Sequence, residues 1–369
     1  SESEILTEIA KFARENYSEK MAGELLADLD EFLEKVIAAA KKQNLDWGKF
    51  EVLFELFKYS TVSGGCYHDP FGELISRVVV ADLHSRNLGV DVKYSDLVLT
   101  HGASDAIGTF FKAFGVEGGG VLKKGDEVMI SSPVYFPYMG IMRARGLKII
   151  CVSVDPTTGQ FAPNAFEKVA DSNPKVIVLV DPDNPTGLVK NTESLKMLAD
   201  FAEKKDAVIL SDEVYSAFHP GKKSILEFAS RRTIRIDARS KIERATGCRF
   251  GEYIILDAAN KFISEKWAEF LPENLDLKNY LHDAKAPGGV LGEFRHTTFV
   301  PGPGQILGIC HVLLGDAERT KYREIVQENM KTWYSNLGLE YPNNFYYSLV
   351  DMNTLASDAK KKVPAEQKF

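Results

Sequence analysis

Val176-Ile177-Val178-Leu179-Val180 and Ala207-Val208-Ile209-Leu210 are apolar at every position, and the amphipathic stretch Ser194 to Lys205 runs between them. A strand with one wet face alternates; a strand with no polar position is covered on both faces. Two such runs joined by a helix-period segment read as parallel neighbours in a sheet sandwiched by helices. Working outward, similar runs recur at Leu97-Val98-Leu99, Val128-Met129-Ile130, Leu147 to Val154, Ile234-Arg235-Ile236 and Tyr253 to Leu256, with a second amphipathic segment from Asp105 to Phe114. The expectation is an α/β fold, a three-layer α/β/α domain with a mainly parallel sheet. Ligands in such sheets sit at the carboxyl ends of the strands.

The chain ends read differently. Residues 1–50 show helix spacing, through Ile5, Ile9 and Phe12 and again through Leu25, Leu29, Phe32 and Val36. Asp316 to Asn336 returns to helix, followed by the apolar run Phe345 to Val350. The expected division is a helical segment over 1–65, a large domain over 66–314, and a carboxyl-terminal part over 315–369. The two ends together would form a smaller α+β domain, and the final residues read as cut short. No internal repeat is visible.

A net charge of −7 lacks the concentrated basic face that nucleic acid requires. No apolar run reaches the ~20 residues that cross a bilayer, and no leader pattern opens the chain, so a cytoplasmic protein is expected. Cys66, Cys151, Cys248 and Cys310 are scattered, as are the seven histidines, and neither shows metal-ligand spacing. Neither a disulfide framework nor a metal site is expected. Glu117-Gly118-Gly119-Gly120 is glycine-rich but does not link a strand to a helix as a dinucleotide site requires.

Three segments at strand ends carry chemistry. Asp212 closes one apolar run, where a carboxylate is costly unless it meets a cation or several donors; alone it reads equally well as a helix cap. Asp183-Asn184-Pro185-Thr186-Gly187 follows another run and, alone, reads as a turn. Ala238-Arg239-Ser240-Lys241 follows a third, with Arg249 between Gly247 and Gly251. A lone lysine is usually solvated surface, but here glycines would let backbone approach a ligand and arginine can grip a phosphate. Upstream, Thr100-His101-Gly102-Ala103-Ser104 enters a helix start, which suits an anion, although Ser104 alone reads as a cap.

Together these residues resemble the class I/II aminotransferases, the fold-type I family of pyridoxal-phosphate enzymes. The resemblance runs from about Tyr67 to Leu314. It rests on order and spacing, with 28 residues from Asn184 to Asp212 and eight from Lys241 to Arg249. It implies that Lys241 forms the Schiff base, Asp212 pairs with the pyridine nitrogen, and Tyr215 and Asn184 hydrogen-bond the phenolic oxygen. It implies that Gly102, Ala103, Ser104, Ser240 and Arg249 hold the phosphate and that Tyr135 stacks on the ring. Tyr67, in Tyr67-His68-Asp69-Pro70-Phe71-Gly72, would reach the neighbouring subunit's phosphate, which makes the active unit a homodimer. The catalytic group would be Lys241, Asp212 and Tyr215.

Four departures stand beside it. Ala238 replaces the usual serine or threonine. The interval from Asp212 to Lys241 is short, at 29 residues. A glycine-containing substrate loop is absent from the amino-terminal segment. No arginine follows Arg323, so the usual α-carboxylate ligand has no counterpart; Arg295 and Asn184 are the candidate substrate contacts. The resulting expectation is amino-group transfer between an α-amino acid and a 2-oxo acid. The alternatives are a lyase or side-chain cyclase with the same cofactor, and a pyridoxal-phosphate-binding protein without turnover.

Overall fold

Seven strands form one sheet in the order β1-β7-β6-β5-β4-β2-β3 in the computed structural model. The strands are β1 (Leu97–Thr100), β2 (Glu127–Ser132), β3 (Lys148–Ser153), β4 (Val176–Val180), β5 (Val208–Asp212), β6 (Thr233–Ala238) and β7 (Gly251–Ile254). The structure describes residues 47–63, 69, 71–115, 120–273, 275–282 and 300–350. Each of the seven apolar runs is a strand. β2, β3, β4, β5 and β6 pair in parallel, whereas β7 runs antiparallel to both β6 and β1.

Helices cover both faces, and the pleat explains why the strands read as unbroken apolar runs. Val176, Val178 and Val180 of β4, with Val208 and Leu210 of β5, share one core with α3 (Ala103–Ala113) and α7 (Asp257–Lys266). On the other face Ile177, Leu179 and Ile209 pack against Leu195, Leu198 and Phe201 of α5 (Thr192–Lys204). Truncating one of the buried leucines or isoleucines among these to alanine would cost about 2–5 kcal/mol. Helix α5 begins where Asn191 Oδ1 accepts from the Ser194 amide at 2.8 Å, the arrangement that satisfies an orphan donor of the first turn.

A third core lies beside β1 and β7. There α1 (Trp47–Ser63) and α2 (Leu74–Leu88) meet α9 (Gly302–Leu313) through Leu56, Val79, Ile306 and Ile309. The remaining helices are α4 (Phe136–Ala144), α6 (Leu226–Ala229), α8 (Leu277–His282) and α10 (Asp316–Leu337). Phe345 to Val350 forms neither helix nor strand. Of the amino-terminal helical reading, α1 is described; residues 1–46 lie outside the described residues, as does the Glu117-Gly118-Gly119 stretch.

Strand β6 departs from the all-apolar pattern for a structural reason. Ile234 and Ile236 face the α3 core, while Arg235 and Asp237 face a buried ionic network. Arg235 Nε lies 3.1 Å from Glu213 Oε2, and Lys222 Nζ lies 2.7 Å from Asp181 Oδ2 and 3.5 Å from Glu213. Arg239 Nη2 meets Glu252 at 2.7 Å. Burial alone would raise the Glu213 carboxyl, but Lys222 and Arg235 hold it down at about 2. His84, Asp237 and Glu252 lie close enough together to suggest a metal site. Arg235 and Arg239 already occupy the two carboxylates, so the cluster is a salt-bridge network.

Candidate active site

At the carboxyl ends of β4, β5 and β6 a pocket of about 140 Å³ gathers most of the residues singled out in the sequence. Ala103, Ser104, Tyr135, Asn184, Asp212 and Tyr215 line it together with Ser240, Lys241 and Arg249. Gly102 stands at its edge against the Arg249 side chain. Tyr67 and Arg295 lie outside the described residues.

Lys241 sits three residues beyond the last residue of β6. Its Nζ lies 5.2 Å from the ring centroids of both Tyr215 and Tyr346. Across the pocket Asp212, the last residue of β5, is buried. Its Oδ2 accepts from the Tyr138 hydroxyl at 3.0 Å and its Oδ1 from the Val214 amide at 3.4 Å. Burial pushes its carboxyl up to about 6, against the opposing pull of those two donors. Among the described residues no cation lies within ion-pair distance of it. Asn184 is buried in a turn closed by Gly187 N–H to Asp183 O at 2.8 Å and by Thr186 Oγ1 to Asp183 Oδ2 at 3.0 Å.

The opposite rim is an anion cradle. Helix α3 starts at Gly102 with no side chain capping it. Asp105 and Ala106 bond back to Gly102 O, which leaves the Ala103 and Ser104 amides facing outward as a helix start does. Gly251 pairs with Thr100 on one side and Ala238 on the other. A Cβ there would stand 2.7 Å from Gly102 Cα, so only glycine lets these chains meet. Arg249 adopts φ 51° and donates from Nη2 to His101 O at 3.1 Å and from Nη1 to Thr246 O at 3.0 Å.

These features fit pyridoxal 5′-phosphate. A buried carboxylate without a cation suits a protonated ring nitrogen, open helix amides beside Arg249 suit a phosphate, and Lys241 between them suits the aldehyde. Ala238 presents a methyl group where a hydroxyl was expected, and Thr246 supplies a hydroxyl to the same pocket.

Three residues escaped the sequence reading. Tyr138, one turn after Tyr135, is buried and holds Asp212; its helical offset from Tyr135 was the available signal. Tyr347 lines the pocket and packs edge-on against Tyr215, and Tyr346 flanks Lys241. Nothing local marks these two, which reach the site from more than 100 residues downstream.

The chain is 28% identical over 287 residues to a bifunctional aspartate aminotransferase and L-aspartate beta-decarboxylase of a Pseudomonas species, covering 70% of this chain and 53% of that protein. It is 32% identical over 159 residues to a probable N-acetyl-LL-diaminopimelate aminotransferase of Bacillus subtilis strain 168, covering 42% and 39%. The chain thus spans about half the length, or less, of these two relatives. Among solved structures, alanine aminotransferase from Pyrococcus furiosus superposes with a TM-score of 0.62 at 22% identity, over 78% of this chain and 67% of that one. Tyrosine aminotransferase from Leishmania infantum gives 0.62 at 20% identity, over 79% and 75%. The profile of aminotransferase class I and II matches residues 28–279, more than half of the chain. The protein therefore belongs to the class I and II aminotransferases, a family that uses pyridoxal 5′-phosphate.

Proposed function

We propose that this protein transfers an amino group between an α-amino acid and a 2-oxo acid, with Lys241 as the lysine that holds the cofactor. The observation that carries the reading is the convergence of Lys241, cation-free Asp212 and the open amides beside Arg249 on one pocket. Asp212 would hold the ring nitrogen, Tyr215 and Asn184 the phenolic oxygen, and Tyr135 the ring face. Gly102, Ala103, Ser104, Ser240 and Arg249 would hold the phosphate. When bound, the cofactor supplies an electron sink for the substrate's α-carbon. Lys241, released as a free amine, would take the proton from that carbon and deliver it to the cofactor carbon two bonds away. The Asp212 charge would keep the ring nitrogen protonated throughout. Asn184 and Arg295 would contact the substrate.

The same reading includes a cytoplasmic homodimer in which Tyr67 reaches the partner subunit's phosphate. The large domain would span 66–314 and the chain ends would form the smaller one. Among the described residues no helix is long and apolar enough to cross a membrane.

A lyase outcome on the same cofactor is the second reading. It is motivated by the decarboxylase activity in the name of the Pseudomonas relative. The deciding experiment loads the protein with cofactor and offers each amino acid with and without a 2-oxo acid. Stoichiometric new amino acid supports transfer; carbon dioxide or ammonia release without it supports the lyase. Lys241→Ala should lose the visible absorption of the loaded protein. Borohydride fixation of the cofactor on another lysine would overturn the assignment.

A further inference from the structure

The segment after α10 is built into the Lys241 site. Tyr341 donates from its hydroxyl to Asn344 O, and the Asn344 amide nitrogen donates to Thr186 O at 3.0 Å, to Tyr347 O at 2.9 Å and to the Tyr334 hydroxyl at 3.2 Å. Phe345 N–H bonds to Gly187 O at 3.4 Å. Gly187, with φ 71°, would place a Cβ 2.2 Å from Tyr347 O, so the segment seats directly on the Asn184-to-Gly187 turn. Phe345 wedges against His219 at 4.7 Å between ring centroids. The docking forces Tyr346 to φ 69°, a left-handed conformation that an aromatic residue adopts only when its surroundings impose it.

That strained residue sets one side of an aromatic pair. Tyr346 and Tyr215 rings lie 5.5 Å apart, and Lys241 Nζ is 5.2 Å from each centroid. Two ring faces attract an ammonium and restrict where it swings. Tyr347 packs edge-on against the second ring, its centroid 5.4 Å from that of Tyr215 at an interplanar angle of 83°. We infer that Tyr346 is a positioning residue for Lys241, acting with Tyr215 as an aromatic clamp that holds the side-chain nitrogen at the pocket. The inference rests on the reading of Lys241 as the cofactor lysine for its functional meaning, but not for its geometry.

The test uses the full chain without cofactor. Amines are labelled with a limiting isotopic anhydride at fixed pH, and each lysine is quantified by mass spectrometry. Tyr346→Gly removes the ring and relieves the left-handed strain, so the fold is not put at risk. It should raise labelling of Lys241 about fivefold, with buried Lys222 unchanged. Tyr346→Phe keeps the ring and should label like wild type. Equal labelling of all three proteins, a Phe variant that behaves like Gly, or a matching rise at Lys222 would each overturn the clamp. Borohydride fixation of cofactor on a different lysine of the wild type would instead overturn the functional reading and leave the labelling contrast standing.

Discussion

The hydroxyl of Tyr138 donates to Asp212 Oδ2 at 3.0 Å, and both groups are buried. This bond, with the Val214 amide, is what the carboxylate has in place of a cation. Burial therefore wins, and the carboxyl stands at about 6 where an exposed one stands at 3.8. The folded chain holds this proton more tightly than the unfolded chain. Without cofactor the protein should lose stability as pH rises from about 4 to about 6, by roughly 3 kcal/mol at ~1.36 kcal/mol per unit. Urea unfolding across that window should show the slope in wild type and a flatter curve in Asp212→Asn.

The same substitution should leave cofactor bound but slow turnover. A lost buried charge partner costs about 3–5 kcal/mol, or roughly 10² to 10⁴ in rate at 1.36 kcal/mol per tenfold. Single-turnover rates of Asp212→Asn close to wild type would make the carboxylate structural only.

Glu213 has the opposite sign. Lys222 and Arg235 hold it at about 2 against an ordinary 4.5. Its contribution is complete above pH 4.5 and is lost as pH falls toward about 2. Glu213→Gln should remove that part of acid unfolding and also destabilise the neutral-pH protein, by less than the ~3–5 kcal/mol of a fully broken buried pair, because Lys222 keeps Asp181 and Arg235 keeps Asp237. Circular dichroism melts at pH 7 and pH 3 would read both effects.

Gly251→Ala should damage cofactor affinity with the chemistry residues intact. Its methyl would meet Gly102 Cα at 2.7 Å and the Ala103 nitrogen at 2.9 Å, pushing the anion cradle open. Overpacking of this kind costs about 1–3 kcal/mol, which in binding is roughly 5- to 150-fold. Titration of the apoprotein with cofactor, followed by absorbance, measures it directly.

If Tyr67 acts in trans, mixing Tyr67→Phe subunits with Lys241→Ala subunits should restore activity. The mixed dimer then holds one site with its own Lys241 and a neighbour's intact Tyr67. A fully active monomer by sedimentation, or mixtures without recovery, would exclude the shared site.

The fold was legible because the central strands are buried on both faces, which leaves a run of apolar residues wherever the chain crosses the sheet. The direction of β7 was not legible, since antiparallel and parallel strands of equal burial look alike. Arg235 and Asp237 interrupt β6 because one face of that strand meets the ionic network, a tertiary fact. Site residues within a few positions of a strand end, such as Asp212, Asn184 and Lys241, could be located from the strands themselves. Tyr346 and Tyr347 could not. Their place depends on how the chain returns after α10, and Phe345 to Val350 carries no period that foretells it.

The reversal of β7 has a consequence for how the pocket comes into being. Because β7 lies antiparallel beside β6, residues 239–250 form one connection that turns back at the same end of the sheet, and both Lys241 and Arg249 stand on it. A parallel neighbour would have required the chain to cross back to the other end of the sheet, usually through a helix. Lys241 and Arg249 thus share one local segment, whereas Asn184, Asp212 and Tyr346 join them only after distant loops close. Local contacts form fast and long loops slowly. The cradle's two cations belong to the quickly formed part of the chain, and the groups that orient a ring between them arrive last.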